Sequence, residues 1–247
     1  MTGKVQAVKA DTPTVAAKQT NKPKKPAFKI NEKELQGIAA ATKLSPDFLS
    51  RIIGFEGFRN SNYHLAVNTI GVGHNIDEDP KFKADLKKGK PISISDKQVY
   101  SLFKKDMLKK KAEIKEILPN FDSLSQGQQE ALVDLSFNLR PAALKNSKLL
   151  KAVSQNKFGE ALGDFDFVKA EGKVLPGLCK RRIYDIELFA SGMHPDKGKQ
   201  AINDIIWDVC SEHSSDLISA GQQSMDNLEM SWVFRNRAKN PIVAQNR

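Results

Sequence analysis

The fold is decided by the stretch FEGFRNSNYHLAVNTIGVGH at residues 55–74. Upstream, Ser45 supplies an N-cap and Pro46 a first helical residue, and the helix that they open is predicted to end near Glu56 and Gly57. The β-forming residues and glycines of 63–73 then predict a small, irregular hairpin sheet. Glu56 therefore lies where a helix meets a hairpin.

Helical patterns dominate the rest of the chain. After a loop that runs through Lys90 and Pro91, the capping-box pattern at 95–98 opens a long amphipathic helix. Ser125 caps the next helix, and further helices are predicted at 147–154, 157–166 and 177–191. This pattern predicts an α+β fold, mainly α, with two lobes: a small lobe with the hairpin sheet, a long connecting helix, and a helical lobe, with a cleft between the lobes.

Composition narrows the possible partners. The 247 residues carry a formal net charge of +10, which favours attraction to polyanions such as the acidic bacterial cell wall. A phosphate-binding Gly-rich loop and an RNA-binding aromatic pattern are both missing, so no nucleic acid partner is expected. No apolar run approaches a membrane span, and the N-terminal residues lack the apolar stretch of a secretory signal. Cys179 and Cys210 are predicted to be buried thiols, and no metal site or cofactor is expected.

Three regions are predicted along the chain. Residues 1–29 form a basic, low-complexity N-terminal arm, which is either a solvated tail or a segment that orders on a partner. Residues 30–193 form the main domain with a leading helix. Residues 194–247 form a helical extension with many apolar side chains, which either covers the core of the domain or docks on another protein.

Glu56 has the surroundings that a catalytic acid needs. Phe55 and Phe58 flank it, and the hairpin follows at once, so its carboxyl is expected to lie against apolar surface at the edge of a cleft. Apolar surroundings and the negative end of the helix dipole both favour the protonated carboxyl. Cleavage of a glycoside requires such a proton donor near neutral pH.

Four motifs resemble those of the phage-type lysozymes, in family order over about residues 45–193. The first is Phe55-Glu56-Gly57 followed by Tyr63 and by Thr-Ile-Gly-Val-Gly-His at 69–74. The others are QQEALVDLSFN at 128–138, NSKLL at 146–150, and LPGLCKRR at 175–182 with ELF at 187–189. The resemblance implies a lysozyme fold, and it implies that Glu56 protonates the bond between N-acetylmuramic acid and N-acetylglucosamine.

The sequence departs from the family pattern in the hairpin. The resemblance implies that Thr69 positions a water molecule, but Thr69 follows Glu56 two residues too early, and Leu65 occupies the position of the family's second catalytic Asp. Ordinary glycosidases use two carboxyl groups. Four alternatives stay open: His64 acts as the base; Asn60, Asn62 or Asn68 holds the water; a sugar hydroxyl attacks, as in a lytic transglycosylase; or the domain binds the wall without cutting it.

Further side chains match the substrate cleft of the family. The resemblance implies substrate contacts for Tyr63, His74, Phe137 and Ser147, although structural roles are equally open for Phe137 and Ser147 and are favoured for His64 and His74. Arg181 and Arg182 are interpreted as a charged helix face, with contact to an acidic glycan or peptide as the alternative.

The sequence thus predicts a lysozyme that degrades peptidoglycan. Its predicted setting is the phage virion, at the tail or among ejected proteins, where it opens the wall during entry and contacts other virion proteins through the N-terminal arm and the C-terminal extension. A free endolysin held in the host cytoplasm before release is the alternative setting. An inactive structural or wall-binding module is the competing class.

Overall fold

The computed structural model describes residues 29–64, 68–139, 141–170, 172–210 and 215–239. The helices are α1 Glu32–Thr42, α2 Pro46–Glu56, α3 Pro80–Lys87, α4 Asp96–Ile117, α5 Gln126–Asn138, α6 Pro141–Lys145, α7 Lys148–Ser154, α8 Phe158–Leu162, α9 Pro176–Ala190, α10 Pro195–Asp204 and α11 Ser215–Lys239. The strands are β1 Arg59–His64, β2 Asn68–Gly71, β3 His74–Asn75, β4 Lys169–Ala170 and β5 Lys173–Val174. Short 3-10 turns lie at Ile76–Glu78 and Phe121–Ser123, and a π-helix at Ile205–Val209.

The helix-to-hairpin junction forms as predicted. The Ser45 hydroxyl accepts a hydrogen bond from the Phe48 amide and Pro46 occupies the first turn of α2, which ends at Glu56. Gly57 follows with a φ of 81°, a conformation that favours glycine. The chain then enters the antiparallel sheet β1-β2-β3, whose register is irregular within β1.

A long helix connects the sheet with the helical lobe. The predicted capping box of Ser95 and Gln98 is present at the start of α4, and α4 buries Phe103 and Met107 as it runs between the lobes. Helix α5, which Ser125 caps, packs against both α4 and α9 and is buried over most of its length. The predicted α+β, mainly α fold is confirmed.

The predicted loop before α4 is wrong in part. Residues 80–87 form helix α3, where Pro80 lies in the first turn and the Asp79 carboxylate accepts a hydrogen bond from the Lys81 amide. Phe82 is the buried residue of α3. One buried side chain in eight residues produces no helical periodicity, so only the cap and the proline could have indicated this helix.

The C-terminal segment packs on the rest of the protein. Helices α10 and α11 both contact α9, and the buried apolar side chains of this segment include Ile202, Ile205, Ile206, Leu217 and Leu228. Trp207, Met230 and Phe234 are exposed instead. The N-terminal arm, apart from Lys29, lies outside the described residues.

The prediction of two free thiols is wrong. Cys179 of α9 and Cys210, just after the π-helix, form a disulfide, although both are buried as predicted. Two cysteines separated by 31 positions carry no local signal of their pairing. The disulfide ties the C-terminal segment covalently to α9.

Removal of this disulfide should destabilise the protein. Because the bond closes a loop of 31 positions, Cys210→Ser should lower the free energy of unfolding by about 3–4 kcal/mol through the greater entropy of the unfolded chain. Urea unfolding with and without a thiol reductant measures the difference. The reductant should destabilise the wild type and leave the variant unchanged, and equal effects on both would contradict the pairing.

Candidate active site

The Glu56 carboxyl lies against the turn between β2 and β3. A Cβ atom added to Gly73, whose φ is +70°, would lie 3.0 Å from Glu56 Oε2 and 3.3 Å from Phe137 Cε1. Any larger residue at this position would therefore displace Glu56 or Phe137. The glycine lets three elements, the end of α2, the β2-β3 turn and the end of α5, meet at one point. The side chain of Glu56 is 22% exposed, so its carboxyl remains accessible.

Arg181 of α9 holds Glu56 from the other side. Its Nη1 donates a hydrogen bond of 2.6 Å to Glu56 Oε1, while its Nε and Nη2 donate to the carboxylate of Asp134 on α5. Burial alone would lower the pKa of Arg181, but the charges of Asp134 and Glu56 outweigh burial and raise this pKa, so the guanidinium stays charged. The two carboxyl groups share one buried cation.

The interpretation of Arg181 and Arg182 as a charged helix face is wrong. Arg181 is 5% exposed and Arg182 is fully buried, because acidic partners face them inside the protein. Arg182 Nη2 donates to Asp134, and its Nε lies 2.8 Å from Asp185 in a charge contact without an aligned hydrogen bond. Burial raises the pKa of Asp185 well above its ordinary value. Burial would also raise the pKa of Asp134, but the two arginines lower it.

Sequence reasoning gave no role to Asp134. A signal existed, because Asp134 occurs within a helix that is otherwise apolar at positions 131–135, and buried carboxylates require a partner. The arginine pair at 181–182 supplies that partner from another helix. Only the packing of α5 on α9 reveals the match.

The hairpin residues that were predicted to act on the substrate make contacts within the hairpin itself. The Thr69 hydroxyl is buried and lies 3.4 Å from the Tyr63 carbonyl oxygen, to which it donates across the hairpin. The ring of Tyr63 lies 4.3 Å below the Arg59 guanidinium. His64 pairs with Asn68 at the end of β1, but its side chain, like Leu65, lies outside the described residues. Catalytic roles for Thr69 and His64 and a substrate contact for Tyr63 stay predictions.

The three asparagines considered as water ligands already have protein partners. Asn60 Nδ2 donates to the Ile94 carbonyl and to Asp96, and Asn62 Oδ1 accepts from the Ile92 amide. Asn68 donates through its backbone amide and its side chain to Asp77. Their amides attach the hairpin to neighbouring segments, which weakens the case that they hold a catalytic water.

His74 is anchored by two carboxylates. Its Nδ1 lies 2.9 Å from Asp106 of α4 and its Nε2 lies 3.4 Å from Asp79. Burial by itself lowers the pKa of His74, but the hydrogen bond and charge of Asp106, with the charge of Asp79, outweigh burial and raise this pKa above 6.5. The ring thus links the sheet to α3 and α4, which is the structural role favoured for it.

A pocket of about 750 Å³ opens beside Gly73. Its walls include His74 and Phe137 together with four carboxylates and three lysines: Glu78, Asp79, Asp106, Glu113, Lys105, Lys109 and Lys110. Ser147 is not one of the lining residues, and its hydroxyl caps α7 by accepting from the Leu150 amide. Substrate contacts of His74, Phe137 and Ser147 therefore stay predictions, with Phe137 placed best for one.

The part of the chain that the structure describes contains neither a cluster of metal ligands nor a helix that could span a membrane. No group of three or more histidine, cysteine, aspartate or glutamate side chains is arranged to hold a metal ion. No helix there is long and apolar enough to cross a bilayer.

The hairpin sheet, the long helix and the Glu56 carboxyl packed against Gly73 define a lysozyme-like protein. The phage lysozyme family matches residues 53–184, and the chain belongs to this family. It is 30% identical over 154 residues to an endolysin of Bacillus phage B103 and 28% identical over 156 residues to an endolysin of Bacillus phage PZA. These matches cover 58% and 61% of this chain and 52% and 56% of the two relatives, so the chain spans about half the length of each.

A solved structure shares the fold. The active form of the P1 phage endolysin Lyz superposes with a TM-score of 0.52 at 19% identity, over 64% of this chain and 94% of that one. More than a third of the residues of this chain lie outside the region that matches this endolysin.

The pairing of His74 with Asp106 should make stability depend on pH. Because the pKa of His74 is raised in the folded protein, the stabilisation is complete below the unfolded value near 6.5 and is lost as pH rises through the folded value. Asp106→Asn should therefore cost about 2 kcal/mol at pH 5.5 and less at pH 9. Urea unfolding at both pH values measures this change.

A matched control is Asp122→Asn, which removes the same charge from an exposed pair with Lys115. This variant should change stability by less than about 1 kcal/mol at both pH values. Equal losses for Asp106→Asn at pH 5.5 and pH 9 would show that the charge on His74 contributes nothing.

Proposed function

We propose that this protein cleaves the β-1,4 bond between N-acetylmuramic acid and N-acetylglucosamine in peptidoglycan, with Glu56 as the proton donor. The observation that carries the proposal is the position of the Glu56 carboxyl, which is 22% exposed, packed against Gly73 beside the 750 Å³ pocket and fixed by Arg181. The net charge of +10 favours approach to the acidic cell wall.

Arg181 and Asp134 prepare Glu56 for proton transfer. An acid catalyst must carry a proton when the substrate binds and lose it as the glycosidic bond breaks. When Glu56 is protonated, the guanidinium of Arg181 keeps its hydrogen bonds to the Asp134 carboxylate, so it still has a charged partner inside the protein. When Glu56 has given its proton to the leaving oxygen, the same guanidinium stabilises the new carboxylate through Nη1.

The second step has two candidate routes. In hydrolysis, a water near Thr69 adds its hydroxyl to the anomeric carbon and its proton passes to solvent. In a lytic transglycosylase reaction, a hydroxyl of the muramic acid itself attacks this carbon, gives its proton to the Glu56 carboxylate and closes an anhydro ring. No Asp or Glu occurs between Gly57 and Ile76, and the side-chain amides of the hairpin are already hydrogen-bonded to the protein. Both observations support the transglycosylase route as the alternative to ordinary hydrolysis.

Glu56→Gln should abolish wall degradation while preserving the fold. The amide keeps the size of the side chain and can accept a hydrogen bond from Arg181, but it has no proton to give. Digestion of purified peptidoglycan should slow by at least about 100-fold, the usual lower contribution of a general acid. Circular dichroism supplies the folding control.

The reaction products distinguish hydrolysis from transglycosylation. Mass spectrometry should detect reducing ends after hydrolysis and anhydro-muramic acid after transglycosylation. If the wild type degrades no more wall than Glu56→Gln, the domain is an inactive wall-binding module and the proposal of catalysis is wrong.

For the biological setting we propose a component of the phage particle. The exposed side chains of Trp207, Met230 and Phe234 on the C-terminal segment support a contact with another virion protein. The names of the two Bacillus phage relatives support a free endolysin instead.

Mass spectrometry of purified particles tests the setting. The chain should be present after gradient purification and a high-salt wash, at a constant ratio to the capsid protein. Its loss in the wash, with abundant chain in the lysate, would support the endolysin alternative.

A further inference from the structure

A third carboxyl belongs to the charge cluster around Arg181. Asp185 lies one helical turn further along α9, is fully buried, and faces Arg182 and, across the interface with α5, Asp134. The proposed proton transfer from Glu56 leaves Asp185 without a role. A buried ionisable side chain is costly to the fold, so its place in the cluster requires an explanation.

The contacts of Asp185 favour the protonated carboxyl. Neither of its oxygens accepts a hydrogen bond within the described part of the chain, and the Arg182 Nε that lies 2.8 Å away is not aligned to donate. A buried carboxylate needs several donors, whereas a neutral carboxyl can satisfy its own O–H by donating it. Burial, with the charge and hydrogen bond of Asp134, raises the pKa of Asp185 and outweighs the opposing charges of the two arginines.

Asp134 accepts the hydrogen bond from Asp185. A carboxylate offers about four acceptor positions, and Arg181 Nε, Arg181 Nη2 and Arg182 Nη2 fill three of those on Asp134. The O–H group of Asp185 fills the fourth. With Asp134 saturated, the remaining Arg181 nitrogen, Nη1, is left to donate to Glu56.

Charged side chains on the other elements packed against α9 have other partners or lie in solvent. Lys199 of α10 pairs with Glu229 of α11. Glu160 of α8 and Asp208 of the π-helix are exposed. The charges that act on Asp185 are accordingly those of its own cluster.

We propose that Asp185 is a positioning residue for the catalytic acid, and that its neutral carboxyl donates to Asp134 and so keeps Arg181 directed at Glu56. The inference rests on the proposed function, because it assumes that Glu56 is the proton donor. If Asp185 gave its proton to solvent, a second buried carboxylate would compete for the arginine N–H groups. Asp134 would also regain an acceptor position that can draw Nη1 of Arg181 away from Glu56.

The pH dependence of stability tests the proton on Asp185 without catalysis. Because the pKa of Asp185 is raised in the folded protein, the stability that its proton contributes is complete below the ordinary value of 3.8 and is lost as pH rises through the folded value. Asp185→Asn keeps an N–H donor for Asp134 at every pH. The urea midpoint of this variant, relative to that of the wild type, should therefore rise from pH 4.5 to pH 9.

A matched control is Glu160→Gln, which removes the same charge from an exposed position on α8. Its midpoint relative to the wild type should stay nearly constant over this pH range. An ionised Asp185 paired with Arg182 would give the opposite trend, a midpoint of Asp185→Asn that falls relative to the wild type as pH rises. That trend, or none, would overturn the inference.

Two uncharged variants separate the hydrogen bond from charge and size. Asp185→Leu has nearly the size of the asparagine variant but no donor, so kcat on soluble glycan strands should fall about tenfold, the usual effect of one lost hydrogen bond, with KM little changed. Asp185→Asn should recover most of this loss. Circular dichroism checks that both variants fold, and equal losses of kcat in the two would show that the hydrogen bond does not position Glu56.

A separate measurement distinguishes failure of the inference from failure of the proposed function. The carbon-13 NMR signal of the Asp185 carboxyl, assigned by its loss in Asp185→Asn, reports ionisation directly. If this carboxyl is ionised at pH 6 and the wild type cleaves the strands while Glu56→Gln does not, the assignment of Asp185 is wrong and the proposed function stands. If the carboxyl is neutral and the wild type cleaves no more than Glu56→Gln, the proposed function is wrong and the positioning role of Asp185 falls with it.

Discussion

The buried guanidinium of Arg181 is the interaction on which the candidate site depends. It lies between Asp134 of α5 and Glu56 at the end of α2, so it holds the Glu56 carboxyl against α5 and α9. A single buried cation with one carboxyl partner would resist protonation of that carboxyl. Because Arg181 also donates to Asp134, the guanidinium has a second carboxyl partner besides Glu56.

The polar side chains of the hairpin are occupied by contacts within the protein. Asn60 and Asn62 are bound to the segment that leads into α4, and Asn68 is bound to Asp77, so these polar side chains maintain the position of a shortened hairpin. Thr69 donates to a carbonyl within the same hairpin. A polar residue near the cleft is therefore not automatically a free catalytic group, because its hydrogen-bonding capacity is already used by the fold.

The C-terminal segment packs on the main domain and shares its buried core. Its buried isoleucines and the disulfide between Cys179 and Cys210 attach it to α9, the helix that also carries Arg181. The attachment places α11 across the end of α2 and creates a groove with its own charges. A segment that the sequence presents only as an apolar helix thus forms part of a groove at the end of α2.

Sequence by itself determined the features whose causes are local. Caps at Ser45, Ser95 and Ser125 and the change from helical to β-forming residues after Glu56 depend on neighbours a few positions away. The starts of these helices, the hairpin and the end of α2 at Glu56 were therefore predicted correctly. Tertiary structure alone decided the partners. Glu56 and Arg181 are 125 positions apart, and the two arginines and two cysteines were misassigned because charge or chemistry in a single segment does not reveal which distant segment packs against it. Burial of an ion pair or formation of a disulfide depends on that packing, which no local pattern encodes.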